Sequence, residues 1–177
     1  SYVHISGDTR FDRVLEIAAA KKSIDWVSKL ADGKIIVAGS TWEDDHKIIG
    51  SIFEQCDQLE QCNWIIVPHN VDAASIKACR SHFTNAICLS EWLTQLNSIE
   101  QPMVLIVDQI GLLSHLYQYA DIAYIGGGFT KDGIHNVLEA AVFGKPVITQ
   151  QPNNTDTFYS INGASQVLNV LANIVGA

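Results

Sequence analysis

The chain has 177 residues and a mass of 19.4 kDa, with 47% hydrophobic and 17% charged residues, which is typical of one globular domain. Eleven Lys and Arg against 19 Asp and Glu give a formal net charge of -8, which argues against a surface for nucleic acid or anionic lipid. No apolar run approaches the ~20 residues that span a bilayer, and we expect a soluble, cytoplasmic domain without a signal peptide. Four irregularly spaced cysteines, Cys56, Cys62, Cys79 and Cys88, predict neither a zinc site nor a disulfide framework.

Short apolar runs alternate with amphipathic stretches along the chain. In chain order the pattern predicts a helix over 10–22, a strand over 34–38, a helix over 43–55, a strand over 64–67, a helix over 72–81, strands over 86–89 and 104–107, a helix over 111–119, a strand over 122–125, a helix over 136–143 and a strand over 146–149. Strands that are apolar on both faces indicate a covered parallel sheet. The predicted fold is a doubly wound, three-layer α/β/α domain with no boundary inside residues 1–177.

Small and polar residues follow several of the predicted strands. Gly39, Ser40 and Thr41 come after the first strand, His69 follows the second, and Gly111 lies in the loop after the fourth. Three consecutive glycines at 126–128, which include Gly127 and Gly128, follow the fifth. Ligands of doubly wound domains bind at these carboxyl ends, and glycine amides can approach an anion because no Cβ intervenes. The composition predicts a site for a phosphorylated ligand.

The motifs leave more than one interpretation open. Lys131 stands where a dinucleotide fingerprint needs its third glycine, and residues 134–135 do not match a P-loop. Asn136 and Glu139 share a predicted helix face, where Asn136 could donate to a phosphate and Glu139 could accept two ribose hydroxyls. The same pair also fits a capping box that needs no ligand. The hydroxyl residues after the first strand fit either an anion contact or a helix N-cap, and the glycines fit either a ligand loop or a tight turn.

Several segments together resemble the 3-deoxy-D-manno-octulosonic acid (Kdo) transferases, in the order of that family. They are residues 7–14 (GDTRFDRV), 39–43 (GSTWE), 126–128 (GGG), 135–139 (HNVLE) and 143–146 (FGKP). The match extends over roughly residues 7–149. The resemblance implies a Rossmann-like domain, the C-terminal half of a GT-B fold, in which residues 1–177 bind the sugar-nucleotide donor. The resemblance further implies that the N-terminal acceptor domain of the family is not part of this chain.

The resemblance also implies an activity and a set of site residues. The activity is transfer of Kdo from CMP-Kdo to a lipid A precursor in lipopolysaccharide biosynthesis, on the cytoplasmic face of the inner membrane in Gram-negative bacteria. The implied donor-binding residues are Ser40, Thr41, His69, Gly111, Gly127, Gly128, Asn136 and Glu139. The catalytic base, the lipid acceptor site and the membrane contact would belong to the missing N-terminal domain. We therefore expect an inactive isolated domain that needs no metal or cofactor.

Within residues 7–149 the chain departs from the family pattern in two places. Family members carry Arg-His-Pro-Glu-Arg after the second strand, whereas residues 68–72 are PHNVD, so an arginine contact to the nucleotide is absent or replaced. The family's His-Asn-Pro-Leu-Glu-Pro becomes HNVLEA at residues 135–140, which keeps the polar pair and drops both prolines. Two alternatives remain at this point: a GT-B domain for a UDP-sugar, in a transferase or an epimerase, and a non-catalytic Rossmann-like interaction module.

Overall fold

The structure is a computed structural model that describes residues 9–20, 22–30, 32–53, 62–95, 102–128 and 137–149. Strands and α-helices alternate along these residues. They are α1 Thr9–Ala20, β1 Ile35–Thr41, α2 Glu43–Phe53, β2 Asn63–Pro68, α3 Ala73–Arg80, β3 Ala86–Cys88, α4 Leu89–Thr94, β4 Val104–Ile106, α5 Leu113–Leu116, β5 Ile122–Ile125, α6 Leu138–Ala141 and β6 Val147–Thr149. Two 3-10 helices, Asp25–Lys29 and Tyr117–Tyr119, precede β1 and β5.

The strands form one parallel sheet in the order β3-β4-β2-β1-β5-β6. Strands β2, β3 and β4 lie on one side of β1. After β4 the chain crosses over, so that β5 and β6 lie on the other side of β1. The strand order therefore reverses between β1 and β5. Loops that leave neighbouring strands for opposite faces open a crevice at such a switch point, which we call the β1–β5 crevice.

The two faces of the sheet each carry an apolar layer. Ile36 of β1 packs with Ile49 of α2 and Cys79 of α3 in one layer. Val37, the next residue of β1, packs with Trp92 of α4 and Ala140 of α6 in the other. Successive side chains of a strand point to opposite faces, so the nearly continuous apolar runs of the sequence supply both layers at once. The predicted doubly wound α/β/α fold is confirmed.

The helix and strand boundaries differ from the predictions in ways that have local causes. Strand β1 extends to Thr41 instead of ending at residue 38, because its pairing with β2 continues past Gly39. Strand β3 ends at Cys88, and Leu89 begins α4, a helix that the sequence did not predict. The Asp108 carboxylate accepts the backbone N–H of Ser90 and thereby satisfies a donor in the first turn of α4. The predicted helix over 136–143 is observed only as α6, and its first residue lies outside the described residues.

Three of the four cysteines lie in the described part of the chain. Cys62, Cys79 and Cys88 are buried, while Cys56 lies outside the described residues. Burial raises the pKa of Cys79 to about 12, so this thiol stays protonated and behaves as a small apolar side chain. Cys79 thus belongs to the apolar layer that also contains Ile36 and Ile49.

Candidate functional site

Strand β1 ends in an irregularity at Ser40. The pairing register with β2 shifts between Gly39, which pairs with Val67, and Thr41, which pairs with Pro68. Ser40 has φ +52°, a left-handed conformation that residues other than glycine rarely adopt and that costs roughly 1–3 kcal/mol. The bulge turns the chain toward α2 and leaves Ser40 partly buried beside the β1–β5 crevice.

The hydroxyl of Thr41 is used inside the protein. Thr41 is 1% exposed, and its Oγ1 lies 2.9 Å from Nε2 of His46. Burial and the nearby His82 lower the pKa of His46 to about 4, so the imidazole is neutral at pH 7. Nδ1 of His46 has no hydrogen-bond partner. The sequence assigned His46 to packing or the surface, and the structure finds it buried.

A buried carboxylate, Asp45, joins the two sides of the crevice. Its Oδ1 accepts a 2.6 Å hydrogen bond from the Tyr124 hydroxyl on β5. Its Oδ2 accepts the backbone N–H groups of Trp42, at 2.9 Å, and Gly127, at 3.1 Å. Burial and the charge of Asp45 raise the pKa of Tyr124, which keeps the phenol protonated as a donor. Sequence reasoning did not identify Asp45 as a site residue.

The same contacts correct the predicted cap of α2. Trp42 accepts the N–H of His46 and is the N-cap residue, and Asp45, three residues later, accepts the N–H of Trp42. This is the reciprocal half of a capping box. The alternative in which Ser40 or Thr41 caps the helix is therefore wrong. An acidic residue three positions after a helix start was the available signal for Asp45.

The glycine loop after β5 packs directly on the end of β1. The N–H of Gly126 donates to the carbonyl of Gly39 at 2.9 Å. A Cβ on Gly126 would lie 2.7 Å from the Ser40 carbonyl oxygen and 2.7 Å from Cα of Thr41, so only glycine fits there. Gly127 has φ +90°, and its amide faces Asp45. The loop is thus a tight turn held by protein contacts.

Glu139 approaches the site from the other face of the sheet. It lies in the first turn of α6 and is partly buried. Burial and the charge of Glu139 raise the pKa of Tyr117, and a Cβ on Gly39 would overlap the Tyr117 hydroxyl. Tyr117 therefore fills the space between Glu139 and the end of β1. Asn136, the proposed partner of Glu139, lies outside the described residues.

His69 and Gly111 occupy different surroundings. The backbone N–H of His69 donates to the carbonyl of Thr41 at 2.9 Å, and its ring stacks on Trp42 with centroids 4.4 Å apart and planes inclined by 21°. Gly111 is exposed in the loop after β4, with φ +86° and open space where a Cβ would lie. The structure thus brings His69 to the end of β1 and leaves Gly111 in an open loop at the same edge of the sheet.

A small cavity opens beside Trp42. Its volume is about 140 Å³, and its walls come from the ends of β1 and β2 and from helices α2 and α3. Ligand pockets for small molecules usually measure about 300–1,000 Å³. This cavity alone is therefore too small for a nucleotide, and none of its lining residues belongs to the glycine loop.

Two features are absent from the described part of the chain. Within it, no three His, Cys, Asp or Glu side chains are grouped so that they could ligate a metal ion. None of the helices described is both long enough and apolar enough to span a bilayer.

The parallel sheet, its switch point and the glycine loop define a Rossmann-like, doubly wound α/β domain. The chain is 31% identical over 134 residues to the 3-deoxy-D-manno-octulosonic acid transferase of Rickettsia felis, an alignment that covers 73% of this chain and 28% of that protein. It is 28% identical over 171 residues to the enzyme of the same name from Rickettsia prowazekii, covering 92% of this chain and 36% of that protein. The chain is a relative of the Kdo transferases, and the resemblance identified from its motifs is confirmed.

A solved structure supports the same fold. The C-terminal CMP-Kdo binding domain of WaaA from Acinetobacter baumannii superposes with a TM-score of 0.64 and 16% sequence identity, covering 94% of this chain and 89% of that domain. No protein-family model matches the chain. The chain spans only 28% and 36% of the two transferases compared above, so it corresponds to about a third or less of such an enzyme.

Proposed function

We propose that this chain is the donor-binding domain of a glycosyltransferase that moves Kdo from CMP-Kdo to a lipid A precursor in lipopolysaccharide biosynthesis. The observation that carries the proposal is the packing of the β1 bulge against the glycine loop of β5 at the switch point, in a relative of the Kdo transferases. Nucleotides bind at this position in doubly wound domains.

The contacts of Gly127 and Thr41 within the protein indicate different proposed roles for the site residues. Ser40 and Gly128 meet the anionic groups of the donor, because the amide of Gly127 is already bound to Asp45. The Thr41 hydroxyl is paired with His46, so Thr41 holds the neighbouring Ser40 in position. Fixed donors of this kind stabilise the negative charge that develops on the departing CMP, and we propose that binding and transfer need no metal.

Three further residues complete the proposed site. Glu139 accepts the ribose hydroxyls, and Asn136 donates to the phosphate. His69, stacked on Trp42, lies beside the nucleotide in the segment where the family carries arginine. Gly111 gives the loop after β4 the freedom to approach the donor, because its φ of +86° is easily reached only by glycine.

The relatives are longer than this chain, and we propose that the groups that act on the acceptor lie outside it. The base that activates the acceptor hydroxyl, the lipid acceptor site and the membrane contact are proposed to lie in a further domain. The complete enzyme would act on the cytoplasmic face of the inner membrane of a Gram-negative bacterium. The present domain would bind the donor and be inactive alone.

Calorimetric titration of CMP, UMP and UDP into the chain, with a chelator present, tests the proposal. We expect CMP to bind most tightly, and Asn136→Ala and Glu139→Ala each to weaken binding about tenfold, the scale of one hydrogen bond to a charged group. Asp121→Ala, at the opposite edge of the sheet, is the control. Preference for UMP or UDP would favour a UDP-sugar enzyme, and a folded chain that binds no nucleotide would favour an interaction module.

A further inference from the structure

We propose that Asp45 is a positioning residue of the nucleotide site, whose buried carboxylate fixes the glycine loop of β5 against the start of α2. The inference rests on the function proposed above and adds a residue that no motif of the sequence identified. Asp45 is 1% exposed and connects the start of its own helix, through Trp42, to Tyr124 and Gly127, which lie 79 and 82 residues further along the chain.

Each carboxylate oxygen holds a different part of the crevice. Oδ1 is bound by the hydroxyl of Tyr124, which anchors Asp45 to β5 at 2.6 Å. Oδ2 receives the amide of Trp42 at 2.9 Å and that of Gly127 at 3.1 Å. Oδ2 is therefore the shared acceptor of the two loops that form the walls of the crevice. Removing it would break this link between the two loops, while the Gly126 N–H would still donate to the Gly39 carbonyl.

Helix capping alone does not account for this arrangement. A capping carboxylate needs only the Trp42 amide and is commonly exposed, whereas burying a charge is costly unless several donors surround it. Here the glycine loop is shaped to fit the carboxylate: a Cβ on Gly126 would lie 2.7 Å from Oδ2, and Gly127 takes φ +90°. The loop conformation and the carboxylate depend on each other.

The consequence for the ligand is geometric. With the Gly127 amide bound to Asp45, the proposed anion contacts fall to Gly128 and Ser40, which lie on opposite walls of the crevice. Asp45 sets the separation of these walls. Displacing one wall by about 1 Å is enough to weaken binding and catalysis, even when no residue that contacts the ligand is changed.

Replacing Asp45 with asparagine distinguishes the effect of its hydrogen bonds from the effect of its charge. The side-chain oxygen of Asn can accept both amides that Oδ2 accepts, and its NH₂ group can donate to the Tyr124 oxygen. Asp45→Asn therefore keeps the connection between the two walls and removes the charge. Asp45→Ala removes the connection. A positioning role predicts that Asn restores what Ala loses.

The test measures CMP affinity and the hydrogen exchange of the Gly127 amide on the 177-residue chain. We expect Asp45→Ala to weaken CMP binding about tenfold or more and to raise Gly127 exchange by a similar factor. We expect Asp45→Asn to bind CMP within about threefold of wild type or more tightly. The matched control is Asp121→Ala: Asp121 Oδ2 accepts the Ile35 N–H at 2.8 Å and ties β5 to β1 at the opposite edge, so CMP affinity should not change.

The possible failures are distinguishable. A wild-type chain that binds no CMP overturns the proposed function and this inference together. Wild-type affinity in Asp45→Ala overturns the inference and leaves the function standing. If Asp45→Ala does not fold, Asp45→Asn and Tyr124→Phe decide: tenfold weaker CMP binding by Asp45→Asn, or unchanged Gly127 exchange in Tyr124→Phe, contradicts the positioning role.

Discussion

At the residue scale, two glycines of the crevice are required by neighbouring protein groups. Gly39 leaves room for the Tyr117 ring, and Gly126 leaves room for the backbone of Ser40 and Thr41. Backbone atoms cannot rotate away as a side chain can. The close approach of β1 and the loop after β5 therefore depends most strictly on Gly126.

Gly126→Ala should lower the free energy of unfolding by about 3 kcal/mol, the upper part of the range for overpacked positions. Gly144→Ala is the control, because Gly144 has φ +67° and open space around its Cβ position. It adds only backbone strain, about 1 kcal/mol. Urea unfolding of the two variants measures the difference. A Gly126→Ala chain as stable as wild type would show that the loop does not pack as described.

His46 gives the stability of the fold a dependence on pH. Its pKa is lowered to about 4 in the folded chain, against about 6.5 when unfolded, so the folded state favours the neutral ring. The neutral His46 ring contributes roughly 3 kcal/mol to the free energy of unfolding above pH 6.5. This contribution is lost as the pH falls to about 4. Urea unfolding at pH 7, 6 and 5 should show this slope, and His46→Gln should flatten it while His115→Gln should not. Equal slopes in wild type and His46→Gln would contradict the account.

At the element scale, helix α4 shows which interactions hold a short helix in place. Nη1 of Arg80, in α3, donates to both carboxylate oxygens of Glu91, in α4, at 3.0 Å each, and both side chains are 45% exposed. Leu89 and Trp92 of α4 are buried in the core. Exposed ion pairs contribute little, so apolar burial is the main stabilisation of α4.

Glu91→Gln should therefore cost less than about 1 kcal/mol of unfolding free energy, and the cost should disappear in ~1 M salt. Leu89→Ala, in the same helix, should cost about 2–5 kcal/mol at any salt concentration. Chemical unfolding of both variants at low and high salt checks this. A salt-dependent loss in Glu91→Gln that matched the loss in Leu89→Ala would mean that the ion pair holds the helix.

Strands and helices could be predicted where one pattern of apolar residues extended over the whole element. All six strands were located because runs such as Trp64–Ile66 are apolar on both faces, as a covered parallel sheet demands. Helix α4 was missed because its apolar residues directly continue those of β3, and only the contact between Asp108 and Ser90 marks the change. The bulge at Ser40 was also missed, since its φ of +52° is imposed by pairing with strands distant in sequence.

At the scale of the whole molecule, the sequence predicted which residues lie at the carboxyl edge of the sheet but not the contacts among them. Ser40, Thr41, His69 and Gly127 all lie at the carboxyl ends of strands, as the strand pattern predicted. Which groups remain available to a ligand could not be predicted. That depends on Asp45, because two of its three partners, Tyr124 and Gly127, lie 79 and 82 residues away along the chain.

The isolated chain should bind the donor nucleotide without transferring Kdo, because the chain spans only 28% and 36% of the two transferases to which it was compared. An assay with CMP-Kdo and a lipid A precursor should show no product above a reaction without protein. Detectable transfer by these 177 residues would contradict the proposed division between donor and acceptor domains.

The most direct test of the account is an NMR titration of the isotope-labelled chain with CMP, because it reports where the nucleotide binds. The account predicts that amide shifts change at Ser40, Gly128 and Glu139, around the β1–β5 crevice. Amides at the amino edge of the sheet, such as Ile35, should not respond. Shift changes confined to another surface, or none at saturating CMP, would contradict the claim that this domain binds the donor at its switch point.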